Sequence, residues 1–308
     1  MSMKNRFPHH WLCIFLLLPA FISCKNKAIE FSPNQCKANP SFIQSLGFNP
    51  RKSFFSTSEI RTMGLVLLES EQPGNPNARV TKFIQHPSWR KAGWLAPILI
   101  DEGGNIYTAP APFINILDNP LANNNTIYKV DAKSGGMDEF MRLPAADSIN
   151  ADNPYGIIGM VYLCETGTLY VSTVAGSRRY EENGHIYAVD VKTKKVIDEI
   201  AHTDAMGMGI SYITGERKLY FGTGRSSAVY AVTLSGNGKF SGSPEQAFTL
   251  QDLGPRGDDK VRRIITDQYG NLTIHGIEFN FNLIAPREKQ ETLYKFNWNP
   301  DEKKWIYF

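Results

Sequence analysis

Four cysteines, six histidines and no basic run longer than a pair occur in this chain of 308 residues, and each scarcity removes a class of function. With a net charge of +3 and no Lys/Arg block, the chain lacks the concentrated positive field that nucleic acids require, so nucleic acid is not an expected partner. There is no G-x-S-x-G elbow, no H-E-x-x-H pair and no C-x-x-C, which sets aside the common hydrolase, zinc-protease and thiol-redox arrangements. Helical periodicity is nearly absent after residue 40, where Gly, Asn, Asp and Pro recur at strand intervals. The apolar stretch Trp11–Ile22 is too short for an ordinary transmembrane helix.

That stretch belongs to a different kind of text. Lys4 and Arg6 precede it, and it closes on Phe21-Ile22-Ser23-Cys24, a pattern that resembles a bacterial lipoprotein signal. The resemblance implies cleavage after residue 23, lipid attachment at Cys24, and anchoring to a bacterial envelope membrane, the outer one being expected. An ordinary cleaved signal with an incidental cysteine is the alternative. On the first reading residues 1–23 are signal, 24–39 a tether that holds the protein off the membrane, and 40–308 the folded part. Cys36 and Cys164 then remain. They lie in the tether and at the end of a strand, places that no feature of the sequence brings together, so they are expected as unpaired thiols.

What fills residues 40–308 is one hairpin written five times. IIGMVYLCETGTLYVST from Ile157 aligns without a gap with FIQSLGFNPRKSFFSTS from Phe42, WLAPILIDEGGNIYTAP from Trp94, GMGISYITGERKLYFGT from Gly207 and KVRRIITDQYGNLTIHG from Lys260. A second pair of runs follows each copy, opening with LVLLE, IYKVD, IYAVD, VYAVT and LYKFN. The unit is therefore four strands, a to d, recurring about every 50 to 63 residues. One such sheet cannot bury both faces, so the copies must stack around an axis. The expected fold is all-β, a β-propeller of five four-stranded blades (six being the alternative), at about 40–90, 93–145, 154–204, 205–252 and 258–308.

With IYAVD and its relatives following GNIY, GTLY and RKLY, the chain resembles the bacterial propellers that include the NHL-like, senescence-marker/gluconolactonase-like and quinoprotein-like families. The resemblance implies a fold rather than an activity, since the shared residues are those any such blade needs. The gluconolactonase-like enzymes imply a divalent metal held by a carboxylate at the start of an inner strand. Here those places hold Phe42, Trp94, Ile157, Gly207 and Lys260, so neither metal nor cofactor is expected. The terminal aromatics Trp305, Tyr307 and Phe308 are expected to pack the last blade against the first.

Loop lengths single out one face. The a–b break is constant, whereas the b–c connections are enlarged at Pro110–Asn125, Val174–Gly184 and Ile277–Glu291. They should share a face with the d–a connections Ala146–Tyr155, His202–Met208 and Leu253–Asp259. Within this face Arg178 and Tyr180 mark the most charged loop, and Phe279, Phe281, Leu283 and Ile284 an apolar patch suited to a protein surface. Alignment adds residues that break a column of small ones: His275, within reach of Glu278, and Arg262 with Arg263 where Gln44 opens blade one. Strand alternation predicts that one of the two arginines faces the channel. They read either as ion-pair partners of Asp258 or Asp259 or as a guanidinium fork for a ligand anion. His202 with Asp204, like His275 with Glu278, has no spacing that fixes a metal.

Three functions follow as expectations: a membrane-tethered binding or interaction propeller whose long-loop face takes a protein or small polar ligand; a channel-site hydrolase or lactonase; and a structural subunit of an envelope assembly.

Overall fold

Strands form where the repeat places β-branched and aromatic residues, and the intervening Gly-rich turns reverse them. The computed structural model describes residues 37–57, 62–75, 78–111, 118–144, 153–279 and 290–308. Blade one contains β1 (Ser53–Ser56), β2 (Val66–Ser70) and β3 (Val80–Ile84); blade two, β4 (Leu95–Ile100), β5 (Ile106–Pro110), β6 (Thr126–Val130) and β7 (Met137–Arg142). Blade three contains β8 (Ile157–Leu163), β9 (Thr168–Thr173), β10 (His185–Asp190) and β11 (Lys195–Ala201). In blade four are β12 (Ala205–Ser211), β13 (Lys218–Thr223), β14 (Ala228–Leu234) and β15 (Phe240–Thr249); in blade five, β16 (Lys260–Thr266), β17 (Leu272–Ile277), β18 (Thr292–Asn299) and β19 (Lys304–Tyr307). Each sheet pairs its strands antiparallel in chain order, and the five form a β-propeller around a channel.

Blade one departs from the repeat. Its expected first strand is a single helical turn, α1 (Phe42–Ser45), so three strands remain among the described residues. Phe42, Ile43 and Leu46 carry helical rather than alternating spacing, and Gly47 at φ +73° ends the turn with its N–H on the Gln44 carbonyl. β1 thereby becomes the innermost strand, and Phe54–Thr57 reach the channel. Phe42 docks on blade two through its N–H to Ala132 O (3.2 Å) and its ring beside Gly135.

The constant a–b break has a specific chemistry in two blades. Asp101 and Asp267 each accept from the backbone N–H groups two and four residues on and from the side chain of Asn105 or Asn271, while Gly104 (φ +80°) and Gly270 (φ +90°) supply the left-handed residue. Just before the turns lie the inner strands, and after them the Ile-Tyr and Leu-Tyr pairs, whose rings Tyr107, Tyr170 and Tyr220 are fully buried. Their burial is possible because a hydroxyl partner is near, as with Tyr170 Oη on Gly238 O at 2.7 Å.

Four apolar clusters fill the junctions one/two, two/three, three/four and four/five. None joins blade five to blade one among the described residues. The terminal aromatics do not fill that gap as expected: Trp305 packs edge-on to Tyr220 at 5.4 Å and against Phe248, both of blade four, while Tyr307 and Phe308 are exposed. Alternation along β19 puts Trp305 and Tyr307 on one face, and Tyr307 lies at the edge of the same cluster, against Tyr294 and Phe296 at 6.0 and 5.6 Å.

The cysteine expectation is also overturned. Cys164 is disulfide-bonded, through a partner outside the described residues.

Candidate ligand-binding channel

Five inner strands enclose a cavity of about 1310 Å³. Its wall is mostly apolar, with Ile98, Met160, Met208 and Ile264 contributed by four blades. Polar groups gather at the end where the b–c and d–a connections emerge. There the lining includes Arg178 and Arg179 of the β9–β10 loop, Asn153 and Tyr155 before β8, Asp204 before β12, and Arg262 and Arg263 of β16. Lys37 lines the cavity too, and the chain next to it bonds the a–b turn of blade two through Ala38 N–H to Asp101 O (3.2 Å).

Both arginines of β16 border the channel, which strict alternation forbids. The reason is a β-bulge: Val261 pairs with Gly276 and Arg263 with His275, leaving Arg262 as the extra residue. Comparable register steps break β4, β8 and β12 near the same end. The bulge is therefore part of the blade design rather than a defect of blade five.

A network unseen in the sequence holds this mouth. Arg225, in the short β13–β14 turn, donates its Nε to Asp204 at 2.6 Å and its terminal nitrogens to the carbonyls of Arg178, Arg179 and Glu181 at 2.7 to 3.0 Å. Asp204 is wholly buried and also accepts from Ser177 Oγ and from Gly184 N–H at 3.1 Å. Burial pushes the Asp204 carboxyl above its ordinary value, against the opposing pull of Ser177 and Arg225. Asn153 adds bonds from its Nδ2 to Val174 O and Ser177 O, both 2.8 Å. This most charged loop is fixed to blade four at its backbone, while Tyr180 at its tip stays 88% exposed. Length sorting passed over Arg225 because its turn is one of the shortest; an isolated Arg in GTGRSSA was the available signal.

The other expected site residues separate. Gln44 is exposed on α1 and does not line the channel. His202 lies outside the lining, exposed, at φ +52°, with Nδ1 3.2 Å from Glu182 O. His275 does not line the channel and pairs with Glu291 (2.6 Å), not with Glu278. Arg262 meets the same Glu291 at 3.0 Å rather than Asp258 or Asp259, the partners expected for it, and Asp259 is held by Arg256 and Tyr294 Oη. Cross-strand register explains the exchange, because His275 stands opposite Leu293, two residues past Glu291. Burial alone would raise Glu291, but the His275 hydrogen bond and the charges of Arg262, His275 and Arg263 outweigh it and hold the carboxyl below its ordinary range. Phe279 lines the cavity; Phe281, Leu283 and Ile284 lie outside the described residues, as do the centres of the blade-two loop and of the connection before Asn153. No group of three or more His, Cys, Asp or Glu side chains poised for a metal occurs among the described residues.

No family profile and no curated protein matches the chain by sequence. Solved structures match by shape. An exo-β-1,3-galactanase from Phanerochaete chrysosporium with galactose superposes with a TM-score of 0.50 at 10% identity, over 82% of this chain and 60% of that one. An α-L-arabinofuranosidase from Lactobacillus brevis gives 0.43 at 12% identity, over 82% and 92%. A calcium-binding protein, regucalcin, from Agrobacterium tumefaciens gives 0.32 at 16%, over 62% and 72%. The chain spans about 60% of the galactanase's length. At such identities the likeness concerns the propeller fold alone.

Proposed function

We propose that this chain is a binding propeller, tethered by lipid at Cys24 to a bacterial envelope membrane, which takes its ligand at the channel mouth on the long-loop face. The observation that carries the reading is the condition of the channel's carboxylates. Hydrolysis of a glycosidic bond uses two carboxyl groups flanking the bond. Among the described residues the lining holds one, Asp204, and that one is buried and engaged by Arg225, Ser177 and Gly184. A roomy apolar channel with a polar, pre-ordered mouth suits retention of a ligand. Calorimetric titration of the mature protein with neutral and acidic oligosaccharides tests it, alongside a turnover panel of glycosides, esters and lactones. Binding without turnover is expected; turnover of any member overturns the reading. For the tether, Cys24→Ser should abolish fatty-acid labelling and release the protein from the membrane fraction.

The rival reading, a channel hydrolase or lactonase, draws on the Arg262–Glu291–His275 chain and on the sugar-acting enzymes among the shape neighbours. Against it, an ionised Glu291 cannot serve as a general acid. Turnover lost in both Arg262→Ala and His275→Ala would establish it.

A further inference from the structure

Among the described residues four arginines line the mouth end of the cavity, against one carboxylate, Asp204, that is held by Arg225. We infer that the mouth recognises an oligomeric anion, a ligand carrying two or more carboxylate or phosphate groups; this rests on the binding reading above and specifies its ligand class.

The cationic groups are placed, not merely present. Arg178 and Arg179 sit on a loop whose backbone carbonyls are clamped by Arg225, so little ordering remains to be done when a ligand arrives. Arg262 and Arg263 are both brought to the channel by the bulge in β16. Between the two pairs runs β12, where Gly207 lets the backbones close up: a Cβ there would come within 2.8 to 2.9 Å of the Arg262 and Arg263 backbone. The result is two arginine pairs, one from blade three and one from blade five, that border the channel on either side of β12. Glu291 engages one terminal nitrogen of Arg262 from outside the lining, and a guanidinium has five N–H donors, so this arginine keeps donors for a second anion. Arg263 has no ion pair among the described residues. Carboxylates at the mouth pair with Arg178, Arg225 and Arg262, yet four arginines against Asp204 leave the described lining net positive, and a low-dielectric cavity focuses such a field and concentrates anions.

Size argues for an oligomer. Pockets for single small molecules run to roughly 1,000 Å³, and this cavity exceeds that. The two arginine pairs also come from blades that do not adjoin, which favours a ligand with more than one anionic group. Carboxylates spaced along a sugar chain, or phosphates along a polyphosphate, share the required chemistry.

The test uses the mature full chain with three probes: tetragalacturonate, the neutral galactose tetramer and inorganic tripolyphosphate. An anionic probe should bind, weakening as salt rises from about 50 to about 300 mM, and Arg179→Ala with Arg263→Ala should weaken it about tenfold or more. The Lys versions should fall between, retaining charge without the fork. All these side chains border solvent, so unchanged circular dichroism is expected and separates lost contacts from lost fold. Preference for tetragalacturonate or for tripolyphosphate identifies the source of the anion. Equal binding of the neutral tetramer, unaffected by the arginine variants, overturns anion recognition and leaves the binding reading standing. Cleavage of tetragalacturonate instead removes the binding reading and leaves anion recognition standing; failure of every probe to bind overturns both.

Discussion

Blade one has two faces, and they differ sharply. Toward blade two, Trp89 is fully buried, donates its Nε1 to Gly135 O at 2.7 Å and meets the rings of Phe42, Phe55 and His86 at about 6 Å. Toward blade five, the cross-strand row Phe54, Leu68 and Phe83 carries no buried cluster among the described residues, and Phe83 is 69% exposed. The face of blade five away from blade four mixes Ile265 and Leu293 with Arg263, His275 and Lys295. Among the described residues the same hairpin pattern therefore yields a core where a complementary apolar face is opposite and a mixed, less buried surface where it is not. The helical turn that replaced a strand strengthens the first junction and adds nothing to the second.

Breaking the filled junction should have the largest effect. Trp89→Ala is expected to cost about 3 to 5 kcal/mol in denaturant unfolding, through a cavity and the loss of the indole hydrogen bond. Next comes the covalent tie at Cys164, which belongs to neither face: reduction should lower stability by about 2 to 4 kcal/mol, and a thiol titration of the unreduced mature protein should find Cys164 blocked. If Cys36 is the remaining thiol after processing, Cys36→Ser frees Cys164 to the titrant. A pH series then sharpens the contrast on the mixed face. Glu291 lies below its ordinary value of 4.5, so its ionised form favours the fold. That contribution is complete above about pH 4.5 and is lost as pH falls through the lower folded value. Glu291→Gln should be less stable at neutral pH and show a flatter acid limb; an unchanged limb would mean that the Arg262–Glu291–His275 chain is not formed in solution. Smallest of all, Phe83→Ser on the open face should change stability by no more than about 0.5 kcal/mol. A loss approaching that of Trp89→Ala would show this face to be covered.

The bulk of the propeller was readable because strand and turn chemistry are local. The Ile-Tyr, Leu-Tyr and Tyr-Ala-Val runs and their Asp-x-x-Gly-Asn breaks each act within a few residues, so repetition reveals them. Phe42–Ser45 misled because a gapless alignment weighs length over spacing, and the helical spacing of its apolar residues was the overlooked cue. Site residues fared less evenly. Arg178, Arg262 and Arg263 do border the channel, but Gln44 and His202 do not, and His275 turned away from Glu278 toward Glu291. Arg225, which orders the mouth, drew no notice because its partners Asp204 and the Arg178–Glu181 carbonyls come from another blade.

By itself the sequence determined the strand period, the number of units and the end of the channel at which elaborated loops collect, since these depend on side-chain alternation and turn residues close in the chain. Tertiary structure alone decided which arginines share the channel, which carboxylate is buried and neutralised, and which blade face carries a buried cluster among the described residues. Those outcomes depend on a one-residue bulge and on contacts between blades tens of residues apart, where a shift of a single position in register exchanges the groups that meet.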